Sequence, residues 1–308
     1  MEIINTIIPI FAVIFLGALA RLRGMIPDSF LKPANQLTYY LAIPAMIFNA
    51  IAKSDFHSQF DTRLLLGTVI PLLLVFILFW LAVMVLGIER RYRGTLIESA
   101  IHGNIGYIGL AVVFYYMGTE ALATAGILAG FVMLTHNSLA VIALQANSVE
   151  RGGSRVRFDV LIKIGRNPII LTAAAAILFS LSGIQLPVMI DRTLGIIGNL
   201  ALPLALLLIG GSLSFHIRPR VLILAALVCL VKLILLPGLG LWLYLELGMS
   251  VRDLLPGLII LATPVATVSY VMATEMKGDP KLAVNVISIS TAVSAVTILF
   301  WLSLADAL

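Results

Sequence analysis

The chain is poor in charge and nearly devoid of cysteine. Only 11% of its 308 residues are Asp, Glu, Lys or Arg, while 61% are hydrophobic. A soluble domain has roughly 25% charged residues, so an ordinary water-soluble enzyme or binding domain is excluded. The single cysteine, Cys229, lies inside an apolar run. It reads as packing and excludes both a disulfide framework and a cysteine-based metal site. Zinc-ligand spacing, a nucleotide-binding glycine loop and a nucleophile–base pair are also missing. No metal, no cofactor, no ATP-driven pumping and no enzymatic activity are therefore expected. The net charge of +5 is nowhere concentrated among aromatics, so nucleic acid is not an expected partner.

What the chain has instead is a series of long apolar runs. They lie near 3–20, 33–52, 64–88, 95–117, 121–146, 167–184, 189–215, 219–245, 254–274 and 282–305. Each approaches the ~20 residues that cross a bilayer as a helix. The first run is followed by Arg21 and Arg23 rather than by a small-residue cleavage site, and reads as a retained span. The expected fold is all-α, a polytopic membrane protein with ten transmembrane helices. The longest connector, 147–166, divides it into five-span halves, 1–146 and 167–308.

Basic residues orient these spans. Connections after odd-numbered spans hold fifteen Lys and Arg, among them Arg90, Arg91, Arg93, Arg151 and Arg155, whereas those after even-numbered spans hold four: Lys53, Arg63, Arg192 and Arg252. By the positive-inside rule the odd connections, including 147–166, face the cytoplasm and both termini lie outside. Five spans per half then require the halves to insert in opposite senses. Two echoes support an inverted repeat: Leu41–Ala45 (LAIPA) returns as Leu200–Leu204 (LALPL), and Tyr115–Glu120 (YYMGTE) as Tyr270–Glu275 (YVMATE).

Several spans carry residues that interrupt helices. Pro44 and Pro203 are mid-span and repeat-related. The ninth span has Pro264 among Thr263, Thr267 and Ser269, and the fourth has Gly103, Gly106 and Gly109 around Asn104. Proline removes a backbone donor and clashes with the preceding turn. In lipid, the freed polar groups are tolerated only against protein or a water-lined cavity. Broken helices at matching places in two inverted halves point to a transporter binding site, where half-helix N-termini turn N–H groups toward an anion. The alternative reading is packing, in which the glycines only let helices approach closely.

The chain resembles the auxin efflux carrier family, which includes bacterial organic-acid permeases. The resemblance rests on Asn35 and Pro44 within NQLTYYLAIP, KIGRNP at 163–168, VKLILLP at 231–237 and ATPVATVSYVMATEMKGDP at 262–280. It implies inverted five-span repeats with the fourth and ninth spans crossing where they unwind. It further implies a scaffold of spans one, two, six and seven, with the remainder moving like an elevator. Substrates would be carboxylates, contacted by Asn104 and by the His136-Asn137 pair. One departure is Ala111, where many members have proline, so the fourth-span arm would depend on its glycines.

Individual residues carry competing readings. Asn104 offers amide donors to a carboxylate, or a helix–helix hydrogen bond. His136 is a candidate proton carrier, since free histidine titrates near pH 6.5, or a neutral pocket residue. Lys232 is the only basic residue deep in a span; it attracts the anion, or holds helices together through a carboxylate such as Glu98. His102 lines the path or, placed toward the cytoplasmic end, is interfacial, and its position favours the second reading. The last span's hydroxyls (Ser288, Ser290, Thr291, Ser294, Thr297) and Asn285 read as packing. The expected function is a secondary transporter of small organic acids in the cytoplasmic membrane; the alternatives are a passive channel or a ligand sensor. Expected partners are an organic anion, lipid, H⁺ in preference to Na⁺, and a second copy of the chain if it dimerises.

Overall fold

The computed structural model describes residues 2–148, 167–213 and 219–308. The connector from 149 to 166, with Lys163–Arg166 of the KIGRNP motif and most of its basic residues, lies outside the described residues, as does Arg218. Apart from one isolated bridge, every regular element described is helical. In chain order these are α1 (Glu2–Leu22), α2 (Asp28–Leu37), α3 (Ile43–Ala52), α4 (Phe56–Gln59), α5 (Thr62–Val85), α6 (Arg90–Ile101) and α7 (Leu110–Asn147). After the connector come α8 (Pro168–Leu181), α9 (Val188–Asn199), α10 (Ala201–Ser212), α11 (Pro219–Leu230), α12 (Leu236–Glu246), α13 (Val251–Ala262), α14 (Val268–Glu275) and α15 (Pro280–Asp306).

Six helical stretches among the described residues are long and apolar enough to cross a bilayer: Ile3–Leu22, Thr62–Val85, Ile105–Asn147, Val188–Ser212, Val221–Glu246 and Pro280–Asp306. The other expected spans are shorter, as in α8, or interrupted, as in α2–α3 and α13–α14. At 43 residues, Ile105–Asn147 is about twice what one crossing needs. Gly118 divides it, with φ 86° and ψ −171° inside α7. That backbone is open essentially to glycine alone.

Local chemistry explains where several helices begin. Asn167 accepts a hydrogen bond from the N–H of Ile169, and Asp279 accepts one from Leu282. Each caps a helix whose first residue is proline, which has no N–H to leave orphaned.

Pro44 and Pro237 are accommodated rather than broken. A π-helical turn, Thr38–Ala42 or Val231–Leu235, ends two residues before each. Widening the turn relieves the clash between the proline ring and the carbonyl four residues back. For Pro237 that carbonyl belongs to Leu233, and Trp301 Nε1 donates to it at 2.7 Å. Pro44 was expected to open its span, but Ile43 stays right-handed (φ −63°, ψ −47°). At Pro203 only Leu200, also right-handed (φ −76°, ψ −23°), separates α9 from α10. At neither proline does the adjoining backbone leave the right-handed region.

The chain forms two compact units. The first comprises Met1–Thr62, Ile105–Phe131 and Arg166–Leu213. Within it α1 and α10 touch backbone to backbone: a methyl at Gly17 would strike the Leu207 carbonyl, and one at Gly210 the carbonyl of Ile14. Without a hydrophobic drive between helices in lipid, such small-residue contacts carry the packing. Gly198 brings α9 against the backbone of Met46 in α3, and Tyr107 donates to Asn35 Oδ1 at 3.0 Å.

The second unit comprises Arg63–Asn104, Val132–Gly165 and Ser214–Leu308. Its core centres on Tyr244, fully buried with its ring against Gly67 and its hydroxyl against Gly257 and Thr68 Oγ1 (2.6 Å). The turn before α15 is pinned to α6, where the Asp279 N–H donates to Thr95 Oγ1 at 2.8 Å.

Candidate functional site

Within the second unit two helices stop and their chains pair. α6 ends at Ile101, and His102 turns extended (φ −83°, ψ 94°). α13 ends at Ala262, and Thr263 is likewise extended (φ −62°, ψ 144°). Gly103 and Val265 form an antiparallel bridge. The Asn104 N–H donates to the Pro264 carbonyl at 2.8 Å, and the Ala266 N–H to the His102 carbonyl at 2.9 Å. The Val265 N–H donates to Ser290 Oγ at 3.1 Å. Backbone stripped of helical partners in a low-dielectric interior must find others, and here each broken segment supplies them to the other.

The fourth-span break therefore needs no proline. It falls at 102–104, upstream of Ala111, which is already helical. Gly103 makes the pairing possible, because a methyl there would collide with Thr263 Oγ1 and come within 3.2 Å of Lys232 Nζ. Gly106 and Gly109 belong to a π-helical turn, Ile105–Gly109, that restarts the helix. Pro264 sits in the extended stretch between α13 and α14.

The side chains around the break divide into satisfied and unsatisfied groups. Thr263 Oγ1 donates to the Ile260 carbonyl at 2.7 Å, and Ser269 Oγ donates to Glu98 Oε1 at 2.6 Å. Thr267 is half-buried at the start of α14, and Asn137 is half-buried in α7. Two residues are different. Asn104 is 5% exposed and His136 2% exposed, yet Asn104 Nδ2 and both ring nitrogens of His136 have no hydrogen-bond partner. An orphaned buried polar atom costs about 1–3 kcal/mol, and three of them lie around this one break.

Lys232 is 1% exposed and donates to the Leu261 carbonyl at 2.7 Å, in the last turn of α13. That carbonyl lost its helical partner when Val265 turned to Ser290, and the negative end of the helix dipole favours a cation there. Glu98 was the carboxylate expected to engage Lys232. It lies instead with His102, one helical turn along α6, at 2.9 Å between Oε1 and Nδ1.

His102 also departs from its interfacial assignment: it is 5% exposed, its carbonyl closes the crossing and its ring lies 5.3 Å from that of His136. The Glu98–His102 spacing of four was a legible signal, since it places both on one helix face. Ser290, read as packing, is part of the crossing's hydrogen bonding and had no such signal.

Chemically, the break offers an amide donor, an amine and an imidazole, and among the described residues no carboxylate forms an ion pair with the amine. This suits a small anion.

Comparisons with known proteins find membrane transporters. The family model described as "Membrane transport protein" matches residues 2–153 and 140–302. A Rhizobium meliloti protein named "Putative malonate transporter" is 25% identical over 310 residues, spanning 96% of this chain and 94% of its own. An uncharacterised transporter of Methanocaldococcus jannaschii is 23% identical over 309 residues, 96% of this chain and 97% of its own. Another, from Escherichia coli K12, is 22% identical over 224 residues, 69% of each chain.

Proposed function

The chain belongs to the membrane transport protein family, and from that premise we propose that it is a secondary carrier of small carboxylate anions across the cytoplasmic membrane. The observation that carries this reading is the set of buried, unpartnered polar atoms on Asn104 and His136, beside a broken backbone and the amine of Lys232. A carboxylate bound there would accept from Asn104 Nδ2 and take Lys232 as counterion. The relative named for malonate makes a short dicarboxylate the first substrate to try.

In this reading the ten apolar runs form two inverted five-helix repeats, both termini lie outside, and transport proceeds by alternating access of the elevator kind. The unit holding the crossing would be the moving body. Its separation from a unit built largely on the first, second, sixth and seventh runs supports that assignment.

The test is exchange in vesicles. Purified protein reconstituted with internal malonate should take up labelled malonate saturably, and unlabelled malonate should accelerate efflux. A passive channel would give non-saturating flux without that acceleration, and a sensor would bind without flux. Asn104→Ala should weaken binding about tenfold or more, the worth of a hydrogen bond to a charged group, without lowering stability, because Nδ2 has no partner to lose. Unchanged affinity would remove Asn104 from the site.

A further inference from the structure

Glu98 is the buried group that the carrier reading leaves unused. It is a carboxylate with 1% side-chain exposure, and all its partners are uncharged or titratable: Ser269 Oγ at 2.6 Å, Ser99 Oγ at 3.2 Å and His102 Nδ1 at 2.9 Å. Among the described residues no Lys or Arg forms an ion pair with it. Taking a carboxylate out of water costs several kcal/mol unless it is paired or protonated. A structural role is a poor account of that cost. Ser99 is on the same helix as Glu98 and His102 directly follows its last residue, so only the bond from Ser269 reaches another helix.

The surroundings are those of a proton site. His102 touches Glu98 through Nδ1 and faces His136, whose two nitrogens are unpartnered. The π turn before α12 contributes Lys232, at the crossing. Cys229 of α11 is buried, while Glu275 of α14 and Lys281 of α15 are exposed. Among the described residues no three His, Cys, Asp or Glu side chains are grouped to hold a metal ion. A carboxylate at Glu98 with a neutral imidazole at His102 leaves the pair a full negative charge whichever tautomer the ring takes, and one further proton, on Oε1 or on the ring, neutralises it.

We propose that Glu98, His102 and His136 form a proton-binding site coupled to the carboxylate site at Asn104. The inference rests on the carrier reading for its coupling, but not for the site itself. An anion arriving at Asn104, two residues from His102, adds negative charge to a buried, low-dielectric region. A further proton taken from the same aqueous side onto the Glu98–His102 pair compensates that charge, with His136 as the adjoining acceptor. Proton and anion then leave on the opposite side, so a pH gradient drives accumulation.

Two readouts test this, and they fail separately. Infrared difference spectra of the protein in bilayers, with no substrate, should show a protonated-carboxyl band that grows as pH falls and is absent in E98Q. Vesicles without internal malonate, under an imposed pH gradient with membrane potential clamped, should concentrate labelled malonate. H102N keeps the carboxylate, so it should keep the infrared band and lose at least tenfold in gradient-driven accumulation relative to exchange. It also serves if E98Q does not fold. No pH-sensitive carboxyl band in the wild type, or a band that survives in folded E98Q, would overturn the site. Wild-type net accumulation that ignores the pH gradient would overturn the coupling. Absence of exchange for any organic acid would overturn the carrier reading alone, leaving the infrared result to decide the proton site.

Discussion

The crossing can be probed by filling the space that Gly103 leaves. Gly103→Ala puts a methyl inside the van der Waals radius of Thr263 Oγ1, and 3.2 and 3.4 Å from Lys232 Nζ and Cε. Its backbone is not left-handed, so the cost is steric and not conformational. Forcing an extra methyl into a packed interior costs about 1–3 kcal/mol. Thr263 must also swing away from the Ile260 carbonyl, losing a hydrogen bond worth about 0.5–1.5 kcal/mol.

The single substitution should therefore destabilise by about 2–4 kcal/mol. Thr263→Ala alone should cost about 0.5–1.5 kcal/mol. Once Oγ1 is gone, the nearest remaining atoms belong to the flexible end of Lys232. The double mutant should then be more stable than the sum of singles by about 1 kcal/mol or more. Unfolding titrations of the four proteins in mixed micelles measure this directly. A G103A protein within about 0.5 kcal/mol of wild type, or strictly additive singles, would refute the close pairing of the two broken segments.

Other expectations follow from particular residues. Gly118→Ala should cost about 1–3 kcal/mol from backbone strain alone, because a methyl there meets nothing within 4 Å; the same titration checks it. Lys232→Met keeps the volume of the stem but removes the amine, and should abolish the rise in melting temperature that malonate gives the wild type. With Cys229 replaced by Ala, an impermeant maleimide added to intact cells should label R192C and not R91C; the reverse pattern would invert the proposed orientation.

Much of this protein was legible in its sequence because composition and spacing are local properties. The scarcity of charge and the run lengths identify a membrane protein. The asparagine among glycines at 103–109 and the proline among hydroxyls at 263–269 mark the two segments that later prove to be broken. Asn104 and His136 were recognisable as polar residues too costly for a span without a purpose.

Other features depend on contacts between residues far apart in the chain. The break at His102 needs no proline because Pro264 and Ala266 receive the backbone groups that the helix gives up, and only the fold brings them together. Conversely, Pro44 and Pro203 look like breaks in sequence, yet their neighbouring backbone stays right-handed. A proline's effect depends on whether a widened turn can absorb its clash. Lys232 was visible as an anomaly, but its partner was not. Helical register pairs Glu98 with His102, while the end of α13 offers Lys232 the carbonyl of Leu261. Sequence determines which groups are too polar for lipid; the tertiary structure decides which of them are satisfied and which are left open to bind.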